Sequence, residues 1–289
     1  MNRNAQAGFT LLELLVGMAL IGIVLTALLN FFTQGGRVST QSSSRADLQQ
    51  ETLNAQQLIA GKLREAFYVW PVSQTIELSS TAGNTAAPTY RNPVPGTTRS
   101  GKSTWKTGDD PILALILPPK TTGAACAVAS GGTAAQNDGC YLFLAYYPVK
   151  RSVWVGNTTG SNNPGADTTN DETWVLVQYK AYWYTGFTPS STATAVPTAP
   201  TTGDAQILAD YVAPTVATTG FTTSSNTYTM FTYTAANGAT TTATNPVTGV
   251  TLNLATTRTT GGTTLRLPGS TGTYSITVYP NNLGKVTAN

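Results

Sequence analysis

The sequence predicts an α+β protein, with one long N-terminal helix, membrane-spanning in its first half, packed on a mainly antiparallel β-sheet head. Three observations predict it. Residues 9–32 are apolar apart from a few small polar residues and one charge, Glu13. No proline occurs between there and Pro71, so nothing stops a helix from residue 9 to about residue 68. From Trp70 onward the texture changes to short β-branched and aromatic runs between Thr-, Gly- and Pro-rich segments, with no second long amphipathic pattern.

The helix is read first. At about 1.5 Å per residue, residues 9–32 span roughly 36 Å, enough to cross a hydrocarbon core of about 30 Å with some tilt. A charged side chain at the bilayer centre costs about 2.5–3.5 kcal/mol, and less toward the edge. A chain that keeps Glu13 near the start of this segment therefore has a use for it. Gly35-Gly36 marks the exit from the apolar part and is where a bend is expected. Beyond it, Leu48, Ala55, Ile59, Leu63 and Ala66 recur at helical spacing between Gln, Glu, Ser and Arg. This stripe is read as the face by which the helix packs on its own head. The whole helix, residues 9–68, would be roughly 90 Å long, its first half projecting and its second half embedded.

The head, residues 69–289, is read as strands in loops. Residues 112–117 form a buried strand ended by Pro118-Pro119, and residues 141–147 form another. Val175, Val177, Tyr179, Ala181 and Trp183 alternate with Leu176, Gln178, Lys180 and Tyr182, which predicts a half-buried strand. Residues 206–212, 228–234, 250–254, 264–267 and 274–279 complete the set, with Asn237-Gly238 as a tight-turn signal. Residues 81–106 and the Thr/Ser/Pro/Ala-rich residues 185–204 read as surface loops. Without a second long helix, the strands pair antiparallel.

The start of the chain, Gly8-Phe9-Thr10-Leu11-Leu12-Glu13-Leu14-Leu15 behind a short leader carrying Arg3, resembles the N-terminus of type IV prepilins and pseudopilins. The resemblance implies that a membrane-embedded prepilin peptidase cuts after Gly8 and that the new first residue, Phe9, is N-methylated. It also implies that Glu13 pairs with the Phe9 amine of a neighbouring subunit during filament assembly. A secretory signal peptide would place its cut site after the apolar run, whereas Gly8 precedes it. A plain single-span anchor would have no use for Glu13. The implied partners are other major and minor pilins, the prepilin peptidase, and the assembly platform of a pilus or secretion machine. The implied location is a single pass through the inner membrane with an extracytoplasmic head, followed by the pilus or cell surface. In the head, the order of Gly108-Asp109-Asp110 with its apolar strand, residues 208–212, 231–234, 250–254 and 274–279 and then Asn281-Asn282 resembles minor pilins of the PilW type and J-type pseudopilins of type II secretion.

Composition narrows the function. Only 10% of residues are charged and the formal net charge is +3, falling to fifteen basic against thirteen acidic residues once Arg3 leaves with the leader. No Lys/Arg cluster marks a strong nucleic-acid footprint, so nucleic acid is not expected as a strong ligand. There is no histidine, which removes His-based catalysis and His metal ligation. No other nucleophile set assembles, so the protein is read as neither an enzyme nor a cofactor binder. Cys126 and Cys140 are read as a disulfide, because free thiols are uncommon outside the cell, with a free or redox pair as the alternative. Closing a loop of about 15 residues is worth on the order of 3 kcal/mol in the chain-entropy treatment.

Four further patterns are weighed. Gly96-Thr-Thr-Arg-Ser-Gly101-Lys102-Ser103 satisfies the phosphate-loop spacing but lacks a preceding apolar strand and a following helix pattern. Asp167, Asn170, Asp171 and Glu172 offer oxygens of the kind Ca²⁺ accepts, at a spacing that reads better as a solvated acidic turn. Asn157-Thr-Thr159 fits the N-glycosylation pattern. Trp154, Trp174, Tyr182, Trp183 and Tyr184 could stack on ligands but at strand positions read as packing. The function expected is a minor pilin-like structural subunit of a type IV pilus. The alternatives are a minor pseudopilin of a type II secretion system and a DNA-uptake or adhesion pilin with a ligand-binding head.

Overall fold

The computed structural model describes residues 10–81, 85–121, 124, 126, 138–183, 198–213, 229–235, 246–269 and 271–283. Helix α1 (Leu11–Glu65, 55 residues) opens on a capping box. The Thr10 hydroxyl accepts from the Glu13 N–H at 3.3 Å, and the Thr10 N–H donates to the Glu13 carboxylate at 3.0 Å. Two of the orphan groups of a helix start are thereby satisfied locally. At 1.5 Å per residue the helix is about 80 Å long. It passes through Gly35-Gly36, where a bend is expected, as one continuous helix. Glycine costs a helix roughly 1 kcal/mol relative to alanine but keeps its N–H donor, so the backbone ladder continues.

The helix also ends earlier than residue 68. Phe67 N–H donates to the Ile116 carbonyl at 2.8 Å, drawing the chain into a two-residue strand, β1 (Tyr68–Val69), paired with β4 (Leu113–Leu117). The last turn thus gives way to sheet bonds that no helical periodicity announces.

From Ser44 onward one stripe of α1 is buried: Ser44, Leu48, Thr52, Ala55, Gln56, Ile59, Ala60 and Leu63. Gln56 and Thr52 in this stripe have partners. The Gln56 amide donates to the carbonyls of Leu252 (3.1 Å) and Tyr274 (2.9 Å), and the Thr52 hydroxyl donates to Leu48 O at 2.6 Å. Buried polar groups with partners cost little, whereas unpartnered ones cost about 1–3 kcal/mol.

The head contains an antiparallel seven-stranded sheet in the order β1-β4-β5-β6-β7-β10-β11. Its further strands are β5 (Tyr141–Lys150), β6 (Trp174–Trp183), β7 (Asp204–Val212), β10 (Thr256–Thr260) and β11 (Thr263–Leu267). A second sheet of three strands runs β12-β9-β8, made of β8 (Phe231–Ala235), β9 (Val247–Leu254) and β12 (Tyr274–Val278). A third sheet pairs β2 (Thr75–Glu77) with β3 (Thr104–Lys106). Helix α2 (Arg151–Asn157) follows β5 directly.

The large sheet is buried on both faces. On one face Leu113, Leu115, Leu144, Tyr146 and Leu176 meet Ile59 and Leu63 of α1, together with Phe231, Val250, Leu252 and Leu254 of the small sheet. On the other face Ala114, Ile116, Phe143, Tyr147, Val175 and Val177 pack with Trp70, Ile76, Trp105 and Trp154. This corrects the half-buried reading of β6: Val175, Leu176 and Val177 are all fully buried, because α1 and the small sheet cover Leu176 on the face assigned to solvent.

The layer over the opposite, Val175 and Val177, face includes part of the segment read as a loop. Residues 81–106 contain the short 3₁₀ turn Pro88–Tyr90 and end in β3, and Trp105 of β3 is completely buried with its indole N–H on the Tyr90 carbonyl at 3.1 Å. Strand β10, Thr-rich and lacking apolar alternation, was not expected. It pairs with β11 over residues 256–260 and meets β7 at Thr256–Val212. Strand β5 extends past Tyr147 to Lys150. Asn237-Gly238 lies outside the described residues.

Cys126 and Cys140 are joined in a disulfide with their Cα atoms 4.7 Å apart. The docking stripe yields a prediction. Leu63→Ala should lower the stability of the detergent-solubilised chain by about 2–5 kcal/mol, as expected for a fully buried leucine. Leu58→Ala, on the exposed side of the same helix, should change the midpoint of chemical denaturation little.

Candidate functional site: the N-terminal helix and its seat in the head

The first half of α1 is exposed on all sides. Among the described residues, the large apolar side chains left exposed all lie in residues 11–38, apart from Leu58 and Tyr279. Leu11, Met18, Ile23 and Phe31 are each more than 60% accessible. The helix is long and apolar enough here to cross a membrane. A soluble chain would bury such a surface. At about 25 cal/mol per Å² of apolar area, its removal from water is a large free energy that the fold itself does not recover.

At the head of this surface sits Glu13. Its Oε2 accepts from both the N–H and the hydroxyl of Thr10, each at 3.0 Å. The carboxylate therefore lies at the helix start, where the free N–H groups and the helix dipole favour negative charge. Gly8 and Phe9 lie outside the described residues.

The other end of the helix is locked to the head by a charged seam. Glu51 of α1 accepts the Asp210 N–H at 2.6 Å. The Asp210 carboxylate accepts from Arg151 Nε at 3.0 and 3.1 Å and from the Tyr211 N–H at 2.8 Å. Arg151, almost fully buried, also donates to the Gly165 carbonyl at 2.9 Å. The Tyr211 ring has the Arg258 guanidinium 4.5 Å from its centroid and that of Arg151 at 5.1 Å, and its hydroxyl donates to Asp167 at 2.9 Å. Tyr211 reaches this place through a positive φ of 53° in β7, close to register shifts against β6. A non-glycine residue in that region is strained, and the surrounding bonds hold it. The seam thus joins α1, α2, β7 and β10. Sequence reasoning missed it, because no motif links Glu51, Arg151, Asp210 and Arg258 along the chain.

Burial pushes the Glu51 carboxyl upward, and the nearby Asp210 charge adds to this against the Asp210 N–H bond. Burial also raises Asp210, opposed by the Tyr211 N–H and Arg151. Burial opposes ionisation of Asp167 too, but bonds from Asn170 and Tyr211, with the Arg151 and Arg258 charges, hold it below the usual range.

The remaining sequence patterns have structural partners. Residues 96–103 form turns in which Gly101 N–H donates to the Asn92 carbonyl and Arg99 pairs with Asp110 at 2.7 Å; a strand follows, not a helix. Asn170 holds Asp167 through its amide and clamps the β10 backbone, accepting from Thr259 N–H at 2.7 Å and donating to Thr259 O at 3.1 Å. Asp171 lies 3.7 Å from Arg151, and Glu172 pairs with Lys150 at 2.7 Å. The acidic turn is therefore a brace between the 167–173 loop and the sheet. The Asn157 amide is turned back onto Val153 O at 2.7 Å. Trp154 and Trp174 are buried, Trp183 stacks on Trp70 with planes 5° apart, and Tyr182 carries Lys180 over its ring. Tyr184 lies outside the described residues.

With this geometry in place, comparison with known families gives a match at the N-terminus. Residues 3–29 match the family described as the prokaryotic N-terminal methylation motif. This supports the type IV pilin and pseudopilin family. Pilin-type chains carry this motif on the segment that is here exposed and apolar, which points to membrane anchoring followed by the pilus or surface, with other pilins and the prepilin peptidase as partners in general. Comparison with curated proteins and with solved structures gives no match.

The seam predicts a pH dependence. A carboxyl raised in the folded state holds its proton there at a pH where the unfolded chain has lost it, so stability falls as pH rises through that window. Glu51→Gln keeps an oxygen for the Asp210 N–H and removes the desolvated charge. Its melting temperature should match or exceed that of the parent at pH 7, with the advantage shrinking toward pH 4. Glu51→Leu, which strands the Asp210 N–H, should lose about 1–3 kcal/mol.

Proposed function

We propose that this chain is a minor pilin-like structural subunit, incorporated into a type IV pilus or priming its assembly. The observation that carries the reading is the confinement of exposed large apolar side chains to residues 11–38, under a methylation motif spanning residues 3–29. Prepilin peptidase removes the leader by cutting after Gly8, and Phe9 becomes the N-methylated first residue. Residues 9–32 then hold the chain in the inner membrane with the head outside. The apolar helix surface passes from lipid to neighbouring helices with no gain in exposure to water, so assembly is driven by close packing and by pairing of polar groups.

Glu13 supplies that pairing. Both Thr10 bonds fall on Oε2, and Oε1 is the atom through which a neighbour's Phe9 amine would be met. Breaking a buried charge pair by removing one partner costs about 3–5 kcal/mol, enough to set register along a filament. The role is structural and needs no catalysis. The size of the head, with three sheets and both faces of the largest one covered, favours a low-abundance subunit over one repeated along the shaft.

Mass spectrometry of filaments sheared from cells tests the reading. The chain should appear in small, reproducible amounts relative to the major pilin, beginning at Phe9. Absence from sheared material, with processed chain confined to the envelope, would instead indicate a pseudopilin of a secretion machine. Gly8 replaced by a bulkier residue should leave uncut precursor in the membrane. Glu13→Val should be inserted and processed normally but incorporated several-fold less, and wild-type incorporation of that variant would sink the pairing role.

A further inference from the structure

The outer face of the three-stranded sheet is chemically unlike the rest of the molecule. Its strands read Phe-Thr-Tyr-Thr-Ala in β8, Val-Thr-Gly-Val-Thr-Leu-Asn-Leu in β9 and Tyr-Ser-Ile-Thr-Val in β12, with no charged residue among them. The apolar positions point inward: Phe231, Val250, Leu252 and Val278 are in the core against α1 and the large sheet. The outward positions are hydroxyls, one amide, one glycine and one aromatic ring.

Register aligns them. Thr232 lies opposite Thr251, and Thr251 opposite Thr277, so one row of three threonines crosses the sheet at the strand spacing of about 4.8 Å. The Thr251 and Thr277 hydroxyls share a hydrogen bond of 2.8 Å. In the next row Ser275 donates to the Asn253 side-chain oxygen at 2.6 Å, which fixes the amide. On the other side of the threonines, Gly249 lies beneath the ring of Tyr279. A Cβ at 249 would stand 3.0 Å from Cε1 and 3.1 Å from Cδ1 of that ring, so the ring occupies the space a side chain would fill. Tyr279 is nevertheless 64% exposed, and among the described residues it is the single large aromatic left so outside the apolar helix.

We infer that this face is a binding platform for a neutral polysaccharide. Pyranose rings present a C–H face that packs on an aromatic ring and an equatorial fringe of hydroxyls that both donate and accept. Here an exposed ring stands beside rows of hydroxyls with the same dual capacity, at a repeat set by strand spacing. The absence of charge on all three strands removes the means to hold phosphates or uronates, which require Lys or Arg contacts. It equally leaves a neutral ligand with no buried charge to desolvate. An open face of paired strands suits an extended chain or a polymer surface over a small ligand, which a concave site would enclose. The platform does not depend on which machine the subunit serves.

The full chain, purified in a detergent without a sugar headgroup, tests this by retention on cellulose, chitin and amylose, with alginate and double-stranded DNA as anionic controls. At least one neutral polymer should retain the protein more strongly than either control. Tyr279→Ala should cut that retention by about tenfold, Tyr279→Phe should keep it, and Thr277→Lys should abolish it, consistent with loss of one aromatic contact or insertion of a charge into the face. Equal melting temperatures across the variants would tie the losses to the face and not to folding. No retention on any neutral polymer, retention unchanged in Tyr279→Ala, or stronger retention on alginate or DNA would each overturn the inference.

Discussion

A single continuous helix has to satisfy two different surroundings, and the rest of the structure answers to that constraint. Residues 11–38 carry apolar side chains all round, while from Ser44 onward only one stripe is buried and the other sides are polar. The first pattern is stable only in lipid or among like helices. The second needs one apolar wall to lie against, and the head supplies it with the inner face of the large sheet and the inner face of the small one. Because nothing breaks the helix between the two halves, a force or packing constraint on the apolar half is transmitted to the head through α1 itself.

The seat of the helix is held in two ways that differ in kind. Ile59 and Leu63 supply apolar burial, which is strong but indifferent to small rotations. Gln56 on two carbonyls and Glu51 on the Asp210 N–H supply direction, because each bond is lost if the helix turns or slides. The strain at Tyr211, the buried Arg151 and the raised Glu51 are the cost of that definition. Buried ionic groups contribute little net stability when compared with apolar packing. Here they hold α1, α2, β7 and β10 in one arrangement.

The chemistry of the head divides by face. A cluster of buried charged groups lies where α1 meets β7 and β10, while the outer face of the small sheet is uncharged and hydroxylic. Thr-rich strands are suited to this division. A β-branched residue packs well on a pleated surface, and its hydroxyl keeps that surface wettable.

The N-terminal segment was legible because its signals are local and one-dimensional. An apolar run, a carboxylate near its start and a glycine before it can be read without knowing what touches what, and the amphipathic stripe from Leu48 to Ala66 follows from helical period alone. Strands β4 and β5 were legible for the same reason, as short apolar runs bounded by prolines or glycines. Other features were not. Strand β10 has no apolar alternation and exists because β7 and β11 offer it backbone partners. The burial of both faces of β6 depends on layers contributed by residues 70–105 and by α1. The seam unites residues separated by more than a hundred positions, and the rows of the small sheet exist only once register sets Thr232, Thr251 and Thr277 side by side. The sequence by itself therefore determined which segment is long and apolar enough to span a membrane and that a long helix leads into a β head, since hydrophobic length and period are properties of a segment. Only the tertiary structure decided which polar groups meet and which face stays uncovered, since pairing between distant strands is chosen by the fit of the whole assembly.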